Sequence, residues 1–378
     1  MTNVVIAGYA RSPFTFARKG GLAEVRPDEV ASQVVRGLIE STGVATDDLE
    51  DVIIGCAFPE GEQGDNVARL VGFLSELPVT TAGTTVNRFC GSSMQSIHMA
   101  AGAIKMNAGD AFVCAGIESM TRVPMGGYNF MPHPGLAENY PEAFVSMGIT
   151  AENLAKKYDI DREEQQKFAV ASHAKAHAAQ QEGRFSDEIV PIVSGNLRVE
   201  EDGCIRPGTS QEVLNSLEPA FDAHGTVTAG TSSPLTDGAS TVLVCSEDYA
   251  DEHGLQKMAR IRGIGVSGCA PEIMGIGPVE ASRKALDRAG LALDDIDVIE
   301  LNEAFAAQSL AVIKEAGFDQ DKLNLDGGAI ALGHPLGASG ARITGKAASI
   351  MRREGKELAL ATMCIGGGQG IATVLEAC

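Results

Sequence analysis

The chain has no CxxC pair and no apolar run approaching the roughly 20 residues needed to span a bilayer. Its opening, Met-Thr-Asn-Val-Val-Ile-Ala-Gly, carries no basic stretch followed by a long apolar one, so no signal peptide is expected. Positive charge is also scarce: 30 Lys and Arg stand against 50 Asp and Glu, a formal net charge of −20. This balance argues against nucleic acid or an anionic membrane as the general partner. It leaves room for a polyanionic small molecule, because a few local Arg or Lys residues and backbone N–H groups can hold phosphates. The cysteines fall singly at 56, 90, 114, 204, 245, 269, 364 and 378. Such scatter is not a secreted disulfide framework, and reduced thiols in a cytoplasmic protein fit better.

Glycine, by contrast, is abundant, with 44 among 378 residues, well above the usual level of roughly 7 %. There is no collagen-like period. The glycines cluster beside Cys, His and Asn, where backbone must approach a ligand closely. The length exceeds one compact core and suggests two or three domain-sized units.

Two segments read alike. Val35 to Gly43 (VRGLIESTG) followed by VATDDLEDVII resembles Ser282 to Gly290 (SRKALDRAG) followed by LALDDIDVIE. Gly43 pairs with Gly290 and Asp48 with Asp295, both 247 positions apart. Each segment reads as an amphipathic helix, a turn and an apolar strand. Later in each half a Gly/Ser-rich turn opens a small-residue helix, from Gly91 and from Gly337, and an apolar strand follows at Ala111 to Gly116 and at Leu358 to Cys364. Alternating helices and strands predict parallel sheets covered by helices. The offset requires an insertion at about 119–234, which includes a polar helix opened by Asp161 with Glu164 in its first turn. The expected organisation is therefore an N-terminal half over 1–118, an insertion over 119–234, completion of the first half over 235–257, and a C-terminal half over 258–378.

Four segments carry candidate chemistry. In Thr84 to Ser93 (TTVNRFCGSS) a β-branched run ends at Cys90 and a helix follows at once, with Met94, Ile97, Ala101 and Ile104 on its inner face. A thiol at a helix N-terminus is expected to have a lowered pKa and to serve as a nucleophile; a buried structural cysteine is the alternative. In Gly327 to Arg342 (GGAIALGHPLGASGAR) His334 lies between glycine turns and before Pro335, a plausible base for such a thiol, although a lone histidine is more often a satisfied core or surface residue. Met363 to Gly370 (MCIGGGQG) places Cys364 before a run of exposed N–H groups. A dinucleotide loop is rejected there, because only eight residues follow Gly370, too few for the helix and strand such a unit needs. Asn302 to Ala306 (NEAFA) follows an apolar strand, and alone it reads as a strand-end turn.

In this order, NRFCGSS, NEAFA, GHPLGASGAR and CIGGGQG resemble the thiolase family over nearly the whole chain. The resemblance implies two similar βαβαβαββ halves forming a five-layered α-β-α-β-α core with an inserted loop domain. It also implies Cys90 as nucleophile, His334 as the base that activates it, and Cys364 as acid/base. Asn302 would hold a water in one oxyanion hole with the histidine, and the N–H groups of Cys90 and Gly366 would form a second. Arg206 and Ser233 match residues that contact the phosphate-adenine and pantetheine parts of CoA, while Phe221, Met147 and Phe305 match apolar residues along the acyl path. Each of these could instead be simple packing. CoA would be a substrate, with no permanently bound cofactor, and family members are homodimers or homotetramers.

Ser146 stands before Met147 where the acetoacetyl-CoA branch usually has a histidine. CGSSMQ, TAGTSSPLTDGA and His133 to Gly135 resemble the degradative 3-ketoacyl-CoA thiolases of fatty-acid β-oxidation. An acetoacetyl-CoA thiolase running in the condensing direction is the alternative, and from another class a non-catalytic acyl-CoA binder. A ketoacyl synthase lacks a counterpart of Cys364. A hydratase/dehydrogenase partner would fit the degradative reading. His173 and His177, spaced i, i+4, lack a third ligand for a metal and are expected on a solvated helix face.

Overall fold

The computed structural model describes residues 2–378. The core strands are β1 (Val4–Arg11), β2 (Leu49–Gly55), β3 (Ala82–Val86), β4 (Ala111–Ser119), β5 (Thr236–Ser246), β6 (Ala259–Gly268), β7 (Val298–Leu301), β8 (Leu358–Ile365) and β9 (Gln369–Glu376). The main helices are α1 (Pro27–Thr42), α2 (Val67–Leu74), α3 (Ser92–Lys105), α4 (Met147–Lys157), α5 (Arg162–Gln181), α6 (Gly277–Ala289), α7 (Ala306–Ala316) and α8 (Ser339–Glu354).

The first half runs β3-β2-β4-β5-β1 and the second β6-β9-β8-β7. In the first, β2 pairs parallel with β3 and β4, and β5 lies antiparallel between β4 and β1. In the second, β7 and β8 are parallel, and β9 lies antiparallel between β8 and β6. Leu323 adds a parallel bridge outside β7, at the place β3 occupies in the first half. A short antiparallel contact, Val5–Arg260 and Ile6–Ala259, joins the halves edge to edge.

Alternation along the strands sorts side chains into layers. Val5, Val52, Val113 and Leu243 turn outward under α1 and α2, whereas Ile6, Ile53, Phe112 and Val242 turn inward onto α3 and α8. Val298, Ala359 and Ile371 close that inner layer from the second sheet, and Ile299, Leu360 and Val374 face outward onto α6 and α7. The result is the duplicated, five-layered α-β-α-β-α thiolase-like architecture. The internal repeat is visible at several matched positions: Gly43 and Gly290 both end their helices with left-handed backbone, φ 68° and 71°. α3 and α8 begin at Ser92 and Ser339, and β4 and β8 at Ala111 and Leu358, again 247 apart. α3 and α8 cross almost backbone to backbone, since a Cβ on Gly340 would stand 2.3 Å from the Met94 nitrogen.

The polar helix of the insertion is α5, capped by Asp161 in a reciprocal box with Glu164. Buried charges tie the insertion to both halves. Arg11 pairs with Asp202 at 2.7 Å and Glu188 at 2.8 Å, and Lys346 pairs with Glu188 at 2.7 Å and Asp326 at 3.2 Å. Removing one partner of such a pair costs about 3–5 kcal/mol, because the other charge is left buried and uncompensated.

Candidate active site

Cys90 lies on the tight turn between β3 and α3. The turn forces Phe89 to φ 42°, a left-handed conformation that a bulky residue adopts at a cost of roughly 1–3 kcal/mol. Polar side chains hold it there. Asn87 Oδ1 accepts from the Phe89 N–H at 2.8 Å, and the Ser92 hydroxyl accepts from the Arg88 N–H at 2.9 Å and donates to the Phe89 carbonyl at 2.6 Å. Gly91 is required by packing, because a Cβ would sit 2.6 Å from Ile365 Cδ1.

The expected lowering of the Cys90 pKa is not found. Part of the residue reaches the surface, but its sulfur is enclosed, and burial pushes the thiol up to about 12. The Gly366 and Cys90 N–H groups work in the other direction, and the buried Glu118 carboxyl adds to the rise. A helix terminus contributes about 0.3–1 kcal/mol, whereas each pKa unit of desolvation is about 1.4 kcal/mol. Burial therefore prevails, and the resting group is a thiol that needs a base.

His334 is buried on the loop between Gly333 and α8. Its N–H donates to Thr236 Oγ1 at 3.0 Å, and Leu235 bridges to it in parallel. Asn302, at the end of β7, places Nδ2 3.4 Å from His334 Nε2, and His334 Nδ1 is 2.5 Å from Ser339 Oγ. Because Asn302 Nδ2 can only donate, the network assigns the proton to Nδ1 and leaves Nε2 unprotonated, its lone pair accepting from the Asn302 amide. Burial and the nearby Arg342 charge hold the imidazole down to about 3, so it is neutral near pH 7. Asn302 Oδ1 is buried with no partner, an acceptor suited to a water molecule.

Cys364 ends β8 among Ala304, Phe305, Met274 and Met147. Burial raises its thiol well above the ordinary range, and the proximity of Cys90 and then Cys269 adds to that. Gly367 and Gly368 follow with φ 76° and 81°, and the Gly366 N–H ahead of them favours the Cys90 thiolate. Cys90, Cys364 and Gly366 thus neighbour one another, Asn302 adjoins His334, and the Asn302 N–H donates at 3.0 Å to the carbonyl of Thr362, two residues before Cys364.

Of the residues expected along the CoA path, Met147 lies beside Gly366, its Sδ 3.5 Å from where a Cβ would stand. Phe221 and Phe305 meet edge to face at 5.7 Å. Ser233 donates its N–H and its hydroxyl to the Ala304 carbonyl, both at 3.0 Å. Arg206 stands apart, exposed over the Phe16 ring. His173 is not solvated as expected: it is buried, held down to about 4 by burial and Arg206, and accepts from the Arg206 N–H at 3.2 Å. His177 is half-buried with its Nδ1 unpartnered.

Two contributors escaped the sequence reading. Ser339 partners the histidine, and its one signal was a hydroxyl at the helix start five residues after His334. Glu118 accepts from the N–H groups of Ala57 at 2.8 Å and Gly337 at 3.0 Å, joining the loops behind Cys90. An acid at the end of an apolar strand was its signal.

A family model for the thiolase N-terminal domain matches residues 4–248, and one for the thiolase C-terminal domain matches residues 255–377. The chain belongs to the thiolase family. A 3-ketoacyl-CoA thiolase of Bacillus subtilis is 46 % identical, with 100 % of each chain covered, and that of Aliivibrio salmonicida is 51 % identical over the full length of both. A solved acetyl-CoA acetyltransferase from Bacillus anthracis superimposes with a TM-score of 0.93 at 39 % identity, covering 100 % of this thiolase and 99 % of that chain. Among the described residues of this thiolase no helix is long and apolar enough to cross a membrane.

Proposed function

We propose that the chain is a 3-ketoacyl-CoA thiolase that cleaves its substrate with CoA through an acyl-Cys90 intermediate. The observation that carries the reading is the buried His334, held between Asn302 and Ser339, together with the packing of the Cys90 turn against the strand end that bears Cys364, where a Cβ on Gly91 would stand 2.6 Å from Ile365 Cδ1. His334 Nε2 takes the Cys90 proton, and the thiolate adds to the 3-keto carbon of the substrate. The C2–C3 bond breaks, and the electron pair goes to an enolate of acetyl-CoA. Cys364 protonates C2, while His334 and a water on Asn302 stabilise the enolate oxygen. Cys364, now a thiolate, deprotonates the incoming CoA thiol, whose attack on the Cys90 thioester releases the shortened acyl-CoA and expels the Cys90 sulfur, which recovers its proton from His334. The Cys90 and Gly366 N–H groups stabilise the tetrahedral oxyanion in that half-reaction. CoA is consumed as a substrate, and no permanently bound cofactor is invoked.

The pantetheine arm would run past Ser233, Met147, Phe221 and Phe305, with Arg206 toward the nucleotide. Free cysteines throughout support a reducing, cytoplasmic setting. β3 is an unpaired sheet edge flanked by exposed Leu70, Phe73 and Leu74 of α2. Self-pairing through that edge would give a homodimer, the building block of a homotetramer.

The degradative branch is favoured by the names of the 46–51 % identical relatives and by Ser146, which is exposed and leaves the position before Met147 without an imidazole. The name of the solved relative favours the condensing alternative. Thiolysis across a chain-length series decides. Each buried CH₂ contributes up to about 0.8 kcal/mol, roughly fourfold in binding. Medium and long 3-ketoacyl-CoAs should therefore give higher kcat/KM than acetoacetyl-CoA, and Ser146→His should reduce the difference. A wild-type enzyme fastest on acetoacetyl-CoA, slowing steadily with length, would overturn the degradative assignment.

A further inference from the structure

Phe16 carries two cations on one ring. Lys19 Nζ stands 4.7 Å from its centroid and Arg206 Cζ 4.9 Å. Neither has a carboxylate partner among the described residues, in a chain with 50 acidic and 30 basic side chains. The backbone holds the pair in place. Arg18 takes φ 68°, and the Gly20 N–H closes a turn onto the Phe16 carbonyl at 2.8 Å, folding Lys19 back over the ring. A Cβ on Gly20 would meet that carbonyl oxygen at 2.5 Å, so the turn needs glycine. On the other side, the Gly203 N–H donates to the Phe14 carbonyl at 2.8 Å, and Asp202 Oδ1 accepts from the Phe14 N–H at 2.8 Å, pinning the segment that leads to Arg206.

This cluster is joined through one strand to the loop that carries His334. Phe16 pairs with Thr236, whose hydroxyl accepts from the His334 N–H at 3.0 Å, and the Ala17 N–H donates to the Leu235 carbonyl at 2.9 Å. Two strand spacings, roughly 10 Å, plus the length of the two side chains separate the cations from the histidine, a span suited to a pantetheine arm.

We propose that Lys19, together with Arg206 on the Phe16 ring, forms a phosphate-binding clamp for the nucleotide end of CoA. The inference rests on the thiolase reading and adds Lys19 and the Phe16–Gly20 turn to it as determinants of acceptor specificity. Two cations without an ion-pair partner, prearranged on an aromatic face, bind phosphate oxygens with little ordering cost. The ring fixes their direction without neutralising them.

The test measures thiolysis of a 3-ketoacyl-pantetheine with CoA, 3′-dephospho-CoA or pantetheine as acceptor, so that only the acceptor carries phosphates. Lys19→Met should raise KM for CoA about 5–10-fold, the scale of one charge-assisted contact at a partly exposed site, with kcat little changed. The variant-to-wild-type ratio should approach one for pantetheine, and Lys19→Arg should recover most of the loss. A ratio for 3′-dephospho-CoA equal to that for CoA assigns the contact to the diphosphate; a collapsed ratio assigns it to the 3′-phosphate, and either supports the clamp. An unchanged KM for CoA, or an equal loss with pantetheine, overturns it. Failure of the thiolase reading would look different: a wild-type enzyme that turns over none of the three acceptors.

Discussion

Ser339→Ala should damage catalysis through a proton it never transfers. In the wild type, Ser339 Oγ is 2.5 Å from His334 Nδ1 and leans on the Pro335 carbonyl at 3.5 Å. This arrangement keeps the imidazole proton on Nδ1 and the lone pair of Nε2 on the side of Asn302. Without the hydroxyl, a buried Nδ1–H is left with no acceptor, a penalty of about 1–3 kcal/mol. The alternative tautomer, with its proton on Nε2 and the Asn302 amide turned so that its unpartnered Oδ1 accepts it, avoids that penalty and cannot act as the base. At about 1.4 kcal/mol per tenfold, the competent tautomer falls by roughly 5- to 150-fold. kcat should drop by that factor with KM nearly unchanged, and alkylation of Cys90 by iodoacetamide should slow in parallel, since the same nitrogen removes the thiol proton. Ser339→Thr keeps the hydroxyl and should recover most of the rate, which a merely structural role at the start of α8 does not predict. A folded Ser339→Ala enzyme with wild-type kcat and wild-type alkylation would refute the reasoning.

Two further outcomes follow from the buried groups. Cys364→Ala should still accept an acyl group on Cys90 from acyl-CoA but turn over about 10²–10⁴-fold more slowly, the usual scale for losing a general acid/base; normal turnover would make Cys364 structural. His98 is buried with Nε2 2.8 Å from Thr373 Oγ1, and burial, then Arg88 and Arg288, hold its pKa down to about 3 from 6.5. Because the folded value is the lower one, the unfolded chain binds the extra proton. The stability His98 confers is complete above about pH 6.5 and is lost as pH falls toward 3. Denaturant unfolding of wild type and His98→Gln should therefore show a stability gap that shrinks by about 2 kcal/mol between pH 7 and pH 5. A gap independent of pH would contradict the assignment. Pairing the two proteins cancels the buried acids, such as Glu300, which burial raises to about 7 and which act with the opposite sign.

The duplication was legible because helix-ending glycines and apolar strands are local features. Gly43 and Gly290 announce themselves by position alone, and Cys90, His334, Asn302 and Cys364 each stand in a dense short motif. What was hidden depends on contacts between distant segments. Burial of the Cys90 sulfur comes from loops packed around it, including those held by Glu118, and it outweighs the helix terminus that the sequence displays. His173 looked solvated on a polar helix until the segment bearing Arg206 folded over it. Ser339 became a partner of His334 only through the shape of the intervening turn, and the Lys19–Phe16–Arg206 cluster joins residues nearly 190 apart.

The repeat also explains a matter of stoichiometry. Position 90 in the first half corresponds to position 337 in the second, by the offset that relates Ser92 to Ser339. Gly337 has no freedom to be a cysteine, because a Cβ there would lie 2.8 Å from both Cys56 Cα and the Ile117 carbonyl oxygen. The backbone of the first half presses so closely on Gly337 that this position has no room for the side chain its counterpart carries at position 90. A chain built from two equivalent halves is thereby limited to one reacting thiol turn. The matching turn instead follows the loop that presents His334, so the two copies contribute different groups to a single asymmetric centre.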